Sequence, residues 1–118
     1  MSTQEIANRL VELCRKGDYE TCYKELYSPQ AVSIEADDSF GPRRAEGMEA
    51  IRKKGEMFNE MIEEMHGGTV GDPIVAGDCF SCAMMVDWTM KGMGRQQMEE
   101  ICVYKVEDGK IVLEQFFS

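Results

Sequence analysis

Histidine and tryptophan occur once each, proline three times, and the 13 Lys and Arg are outnumbered by 22 Asp and Glu. Each shortage excludes something. A single histidine, His66, with no paired Cys/His spacing argues against a protein metal site. A net charge of −9 repels phosphate backbones and anionic lipid, so neither nucleic acid nor a membrane surface is an expected partner. No apolar run approaches the roughly 18 residues of a membrane span. Residues 1–17 mix charge throughout, so a secretory leader is not expected and a cytoplasmic location is. Five cysteines, an odd number, argue against a disulfide framework in that setting. Cys79-Phe-Ser-Cys82 has the spacing of a redox or zinc pair, but on a strand residues three apart face opposite ways. The same cysteines serve as small apolar packing groups. No Gly-rich phosphate loop or nucleophile elbow is present, and no cofactor is expected.

What is present suits one folded domain over residues 1–118, with 43% hydrophobic residues for a core. Ser2-Thr3-Gln4-Glu5 has the pattern of a capping box. Ile6, Leu10, Leu13 and Cys14 then recur at helical spacing up to Gly17, which is predicted to end the helix in a left-handed conformation. Asp18 caps a second, short helix whose inner face is Tyr19, Cys22, Tyr23 and Leu26. Ser28-Pro29 breaks it. Residues 31–35 alternate as a short strand, and residues 37–42 carry loop chemistry. A third helix is expected from Gly47 to about Met65, with Met48, Ile51, Phe58, Met61, Ile62 and Met65 along one face and Gly55 filling the gap. His66, at its end, is expected to cap the last carbonyls.

Three strands fill residues 79–118, turning at Gly92-Met93-Gly94 and at Glu107-Asp108-Gly109-Lys110. Phe80, Cys82, Met84, Val86 and Trp88 share one face, and Met98, Cys102, Tyr104 and Val106 the matching face of the next strand. The reverse faces carry Ala83, Met85, Ile101 and Val103. Helices cover one side of such a sheet, so the other is an expected homodimer interface. Ten methionines, several on these strands, suit either a cavity for an apolar ligand or simple core filling.

With these elements in order, the chain resembles the SnoaL-like members of the nuclear transport factor 2-like superfamily, relatives of ketosteroid isomerases and polyketide cyclases. The resemblance rests on Arg15-Lys16-Gly17-Asp18, Leu26-Tyr27-Ser28-Pro29-Gln30-Ala31-Val32, Gly47-Met48-Glu49-Ala50-Ile51, Ala76-Gly77-Asp78 and Val106-Glu107-Asp108-Gly109-Lys110-Ile111-Val112. It implies an α+β, cone-shaped fold, with three N-terminal helices packed on a strongly curved antiparallel β-sheet enclosing a pocket. It also implies a general base at Asp38, beside Asp37. The family's oxyanion-holding tyrosine counts to Leu10 and its late-strand acid to Ile101 or Cys102, none of which donates a strong hydrogen bond.

Glu114 and Glu100 are the further catalytic candidates. Glu114 shares a face by alternation with Val112 and Phe116, and Glu100 shares one with Cys102 and Tyr104. Tyr23, Phe58, Met84, Trp88, Cys102, Tyr104 and Phe116 are the expected ligand-binding wall. The expected function is binding of an apolar cyclic small molecule, with cofactor-free, carboxylate-mediated proton transfer as the reaction if it is an enzyme. The alternative is a non-catalytic dimeric module that binds a protein or a ligand.

Overall fold

The computed structural model describes residues 1–39 and 41–118; Phe40, within the expected loop, lies outside the described residues. The chain opens with Thr3–Lys16 (α1). Its Ser2 side chain accepts from Glu5 N–H while Glu5 reaches back to Ser2 N–H. Gly17 ends the helix at φ 72°, a backbone conformation that costs glycine nothing. Tyr19–Leu26 (α2) follows, capped by Asp18. Tyr27–Ile34 (β1), Arg44–Glu46 (β2) and Met48–Met61 (α3) complete the N-terminal half. Then come Ile62–Val70 (β3), Ile74–Ala76 (β4), Cys79–Met90 (β5), Gly94–Glu107 (β6) and Lys110–Phe117 (β7). None of the helices among the described residues is long and apolar enough to cross a membrane.

The strands form one open sheet in the order β2-β1-β7-β6-β5-β3, with β4 also paired to β5. The α+β layering matches the expectation, and the sheet is mixed rather than wholly antiparallel. The meander β5-β6-β7 is antiparallel throughout, whereas β1, arriving from the helical hairpin, runs parallel to β7. At the β6–β7 turn Asp108 and Gly109 both take positive φ, 51° and 74°, as a two-residue hairpin of primed type requires. Three strand pairs carry register shifts, and such bulges bend strands.

The core lies between α1, α2 and the inner face of the sheet. Ile6, Leu10 and Leu26 pack there with Phe80, Cys102 and Ile111, all nearly inaccessible to solvent. Phe80 and Tyr104 stack at 4.8 Å between centroids. Burial of each large apolar side chain here is worth about 1.5–3 kcal/mol.

Two sequence expectations differ from the structure in this region. The third helix stops at Met61, not Met65, because residues from Ile62 onward pair with β5, Ile62 opposite Met90 and Met65 opposite Trp88. Met65 is consequently exposed rather than part of a helical face. His66 caps nothing: it sits within β3, with Nε2 2.7 Å from Thr89 Oγ1.

Adjacent glycines in β3 provide a test of that packing. A Cβ on Gly68 would lie 2.8 Å from the Met85 carbonyl oxygen, whereas one on Gly67 meets nothing within 4 Å. Gly68→Ala is expected to destabilise the fold by about 1–3 kcal/mol through overpacking. Gly67→Ala should be neutral or stabilising by up to about 1 kcal/mol. Urea unfolding of the two variants side by side checks this; equal midpoints would refute it.

Candidate functional site

The inner face of the sheet and the helices do not close completely. Between α2, α3 and strands β5, β6 and β7 lies a cavity of about 660 Å³ with a largely apolar wall, within the usual range for small-molecule sites. Phe58 and Trp88 stand nearly parallel at one part of the wall, 6.5 Å apart between centroids. Met84, Val86, Met98 and Phe116 line the sheet side. Strand alternation accounts for these positions.

Beside the cavity, polar groups from three elements converge. Glu114 on β7 is 4% exposed. Its Oε1 accepts from the Tyr27 hydroxyl and its Oε2 from Ser33 Oγ at 2.5 Å. Ser33 stands opposite Glu114 in the parallel β1–β7 register. Ser33 Oγ accepts in turn from Lys54 Nζ on α3. Lys54 also pairs with Glu35 Oε1 at 2.7 Å, lies 3.9 Å from Glu114 Oε2, and sits 5.4 Å from the Phe116 ring centre. Tyr27 packs edge-on against Tyr23 at 5.1 Å.

Burial pushes the Glu114 carboxyl above its ordinary value, although both hydroxyls and the Lys54 charge pull the other way. Glu100 on β6 is also pushed up, first by desolvation and then by Glu35. Its environment differs from that of Glu114: the contact made to its side chain is the Cys102 thiol, a weak donor 3.8 Å away. Among the described residues Glu100 therefore faces the cavity without a hydrogen bond from a hydroxyl or an ammonium, although the Lys54 charge acts on it. Among the described residues no three His, Cys, Asp or Glu side chains cluster to hold a metal.

The structure brings together most of the residues expected from the sequence. Tyr23, Phe58, Met84, Trp88, Tyr104, Phe116, Glu100 and Glu114 all line the cavity. Cys102 is fully buried behind the wall and does not line it. Asp38 is a correction: it is exposed and outside the cavity lining. The loop turns there, with Asp37 Oδ1 accepting from Ser39 N–H at 2.9 Å, and it is Asp37 that reaches the cavity. The face shared by Glu114 is also corrected. Val112 is the extra residue at a bulge, so Ile111, not Val112, points inward with Glu114 and Phe116.

Sequence reasoning missed Tyr27, Ser33, Glu35 and Lys54. Two of the four had a readable signal. Lys54 falls three residues after Ile51 and four before Phe58, on the apolar stripe of α3, where a charge is out of place. Ser33 alternates with Ala31, and both are completely buried.

A model of the SnoaL-like domain matches residues 1–118. The chain is 36% identical to a Mesorhizobium loti protein provisionally named a SnoaL-like polyketide cyclase and, in brackets, a carbohydrate phosphatase. That crystal structure superposes with a TM-score of 0.92 over 100% of both chains. An NTF2-like protein of unknown function from Burkholderia pseudomallei matches at 16% identity and TM-score 0.79, covering 100% of this chain and 92% of that one. IdmH from Streptomyces antibioticus, provisionally named a polyketide cyclase, matches at 22% identity and TM-score 0.72, covering 99% and 91%. These last two similarities concern the fold. No curated protein matches the chain.

The raised carboxyls make stability depend on pH with a definite sign. A folded-state pKa above the unfolded one means that the folded state binds more protons, so stability falls as pH rises from the ordinary glutamate value of 4.5 through the raised value. Glu114→Gln is expected to flatten that decline. Glu114→Ala should cost about 1–3 kcal/mol for each hydroxyl left without an acceptor. Denaturant unfolding at a series of pH values tests both, and a slope unchanged in the glutamine variant would refute the assignment.

Proposed function

Because the chain belongs to the SnoaL-like domain family, we propose that it binds an apolar cyclic small molecule and moves a proton on it without a cofactor. The observation that carries this is the cavity of about 660 Å³, apolar on most of its wall, with one carboxyl that is raised by burial and contacted by no stronger donor than a thiol among the described residues. That carboxyl is Glu100. In this reading its carboxylate takes a proton from a carbon next to a ligand carbonyl. The C–H electron pair becomes a carbon–carbon double bond, and the carbonyl π pair moves to oxygen, leaving an enolate. Desolvation, which raises the affinity of Glu100 for a proton, makes it a stronger base than an exposed glutamate. Glu114 is not the acting base, because both its oxygens are occupied by hydroxyls; it holds the site together. The five unpaired cysteines support a reducing, cytoplasmic setting.

The assay is deuterium uptake from solvent at the carbon beside the carbonyl, across a panel of steroid ketones and anthrones. Binding is followed separately by the emission of Trp88, the one tryptophan, which lines the cavity. Glu100→Gln is expected to lower the exchange rate by about 100-fold or more while leaving affinity within a few-fold. Asp38→Asn, outside the cavity, should match the wild type. Binding without exchange would favour the non-catalytic alternative, and undiminished exchange in Glu100→Gln would remove Glu100 as the base.

We further propose that a second copy of the chain covers the outer sheet face. Ala83, Ile101 and Phe117 lie side by side across β5, β6 and β7, and Ile101 and Phe117 are each about half exposed. A row of this kind is costly to leave in water. Light scattering should give a dimer mass for the wild type and a monomer mass for Ile101→Glu; a monomeric wild type would refute it.

A further inference from the structure

We propose that Lys54 is the group that receives the ligand's oxygen, so that the ligand carries a carbonyl, enol or phenol oxygen which becomes anionic in the site. This assignment rests on the function proposed above and adds a second chemical role to the cavity. An ammonium has three protons and no acceptor capacity. Two directions are taken, by Glu35 Oε1 at 2.7 Å and by Ser33 Oγ. Glu114 Oε2, at 3.9 Å, is beyond hydrogen-bond reach and fixes the charge without using the third proton. Lys54 itself lines the cavity, and its side chain is only 17% exposed. A long, flexible side chain is thus fixed from two sides, at the foot of an apolar wall that includes Phe116.

Charge accounting gives the direction of its effect. Before transfer, the negative charge is on Glu100. After transfer, Glu100 is neutral and the charge is on the ligand oxygen. The Lys54 charge already acts on the Glu100 carboxylate, but through charge alone; a direct hydrogen bond to the oxygen that becomes anionic outweighs it and favours the transferred state over the starting one. Glu35 limits the effect, because its carboxylate already neutralises part of the Lys54 charge at 2.7 Å. The groups facing Lys54 therefore predict opposite consequences for two substitutions. Removing the ammonium weakens binding of an anionic oxygen, and removing the Glu35 charge strengthens it.

The probe is 2-naphthol, a flat apolar ring with one ionisable oxygen, whose naphtholate is distinguished from naphthol by absorbance and emission. The full chain carries Glu100→Gln throughout, so that the base is neutral as it is after accepting the proton. In that background bound 2-naphthol is expected to ionise more readily than free 2-naphthol, by about tenfold in the ionised-to-neutral ratio, as one charge-assisted hydrogen bond gives. Adding Lys54→Met should abolish the preference, Lys54→Arg should retain most of it, and Glu35→Gln should increase it. If Lys54→Met does not fold, the arginine and Glu35→Gln variants decide the matter. Ionisation that is unchanged in all of them would overturn the role of Lys54 and leave the cavity reading intact. Failure of 2-naphthol to quench or shift Trp88 emission in any variant would overturn the cavity as an apolar ligand site, and the role of Lys54 with it.

Discussion

The fold depends on how one carboxyl is kept out of water. Moving an ionised carboxylate into a protein interior carries an effective penalty of several kcal/mol, and Glu114 is held there by hydroxyls on both oxygens and an ammonium nearby. Its partners come from β1 and α3, far away in the chain. They meet only if β1 lies parallel to β7 with Ser33 facing Glu114. A slip of one residue would turn Glu114 to the outer face and bring Leu113 or Gln115 inward. The parallel pair, the one departure from antiparallel pairing among the described residues, is therefore where register and polar site are set together. The bulge at Val112 belongs to the same arrangement, because without it Ile111 and Glu114 could not both point inward.

How much of this could be read in the sequence follows from the range of each interaction. The caps at Ser2, Gly17 and Asp18 and the turn at Asp108-Gly109 are decided by neighbouring residues, and the chain shows them plainly. Alternation along β5 and β6 placed Met84, Trp88 and Glu100 on the cavity side because the period of a strand is a local property. The end of α3 was not legible. The segment from Ile62 to Met65 has helical periodicity, but pairing with β5 across more than twenty residues overrides it. Nor could the bulge in β7 be seen, since an extra residue in one strand is defined only by the partner strand. Lys54 is an intermediate case. Its place on an apolar stripe was visible, yet the meaning of a charge there depends on Glu35 and Ser33, which the helix cannot report.

Two carboxyls beside one cavity, both raised by burial, are easily mistaken for equivalents. Their surroundings separate them. Glu114 accepts from a hydroxyl on each oxygen and has the Lys54 charge nearby, so its proton affinity is coupled to Tyr27, Ser33 and Lys54, and any change there is felt as stability. Glu100 accepts a weak hydrogen bond from the Cys102 thiol and feels Glu35, Glu114 and Lys54 through charge alone, so its proton affinity responds to those charges and to whatever occupies the cavity. Sites that place two acids in contrasting environments generally give them different roles. The same contrast explains why Asp38 is a poor candidate despite its position in the chain: an exposed carboxylate in a turn has neither the desolvation of Glu100 nor the partners of Glu114. A shared fold fixes where a cavity forms, whereas the residue able to act in it depends on which side chains the particular register brings there. On the proposed reading the acid–base group is therefore on the sheet and not in the loop before the third helix, and the cation on α3 lines the same cavity.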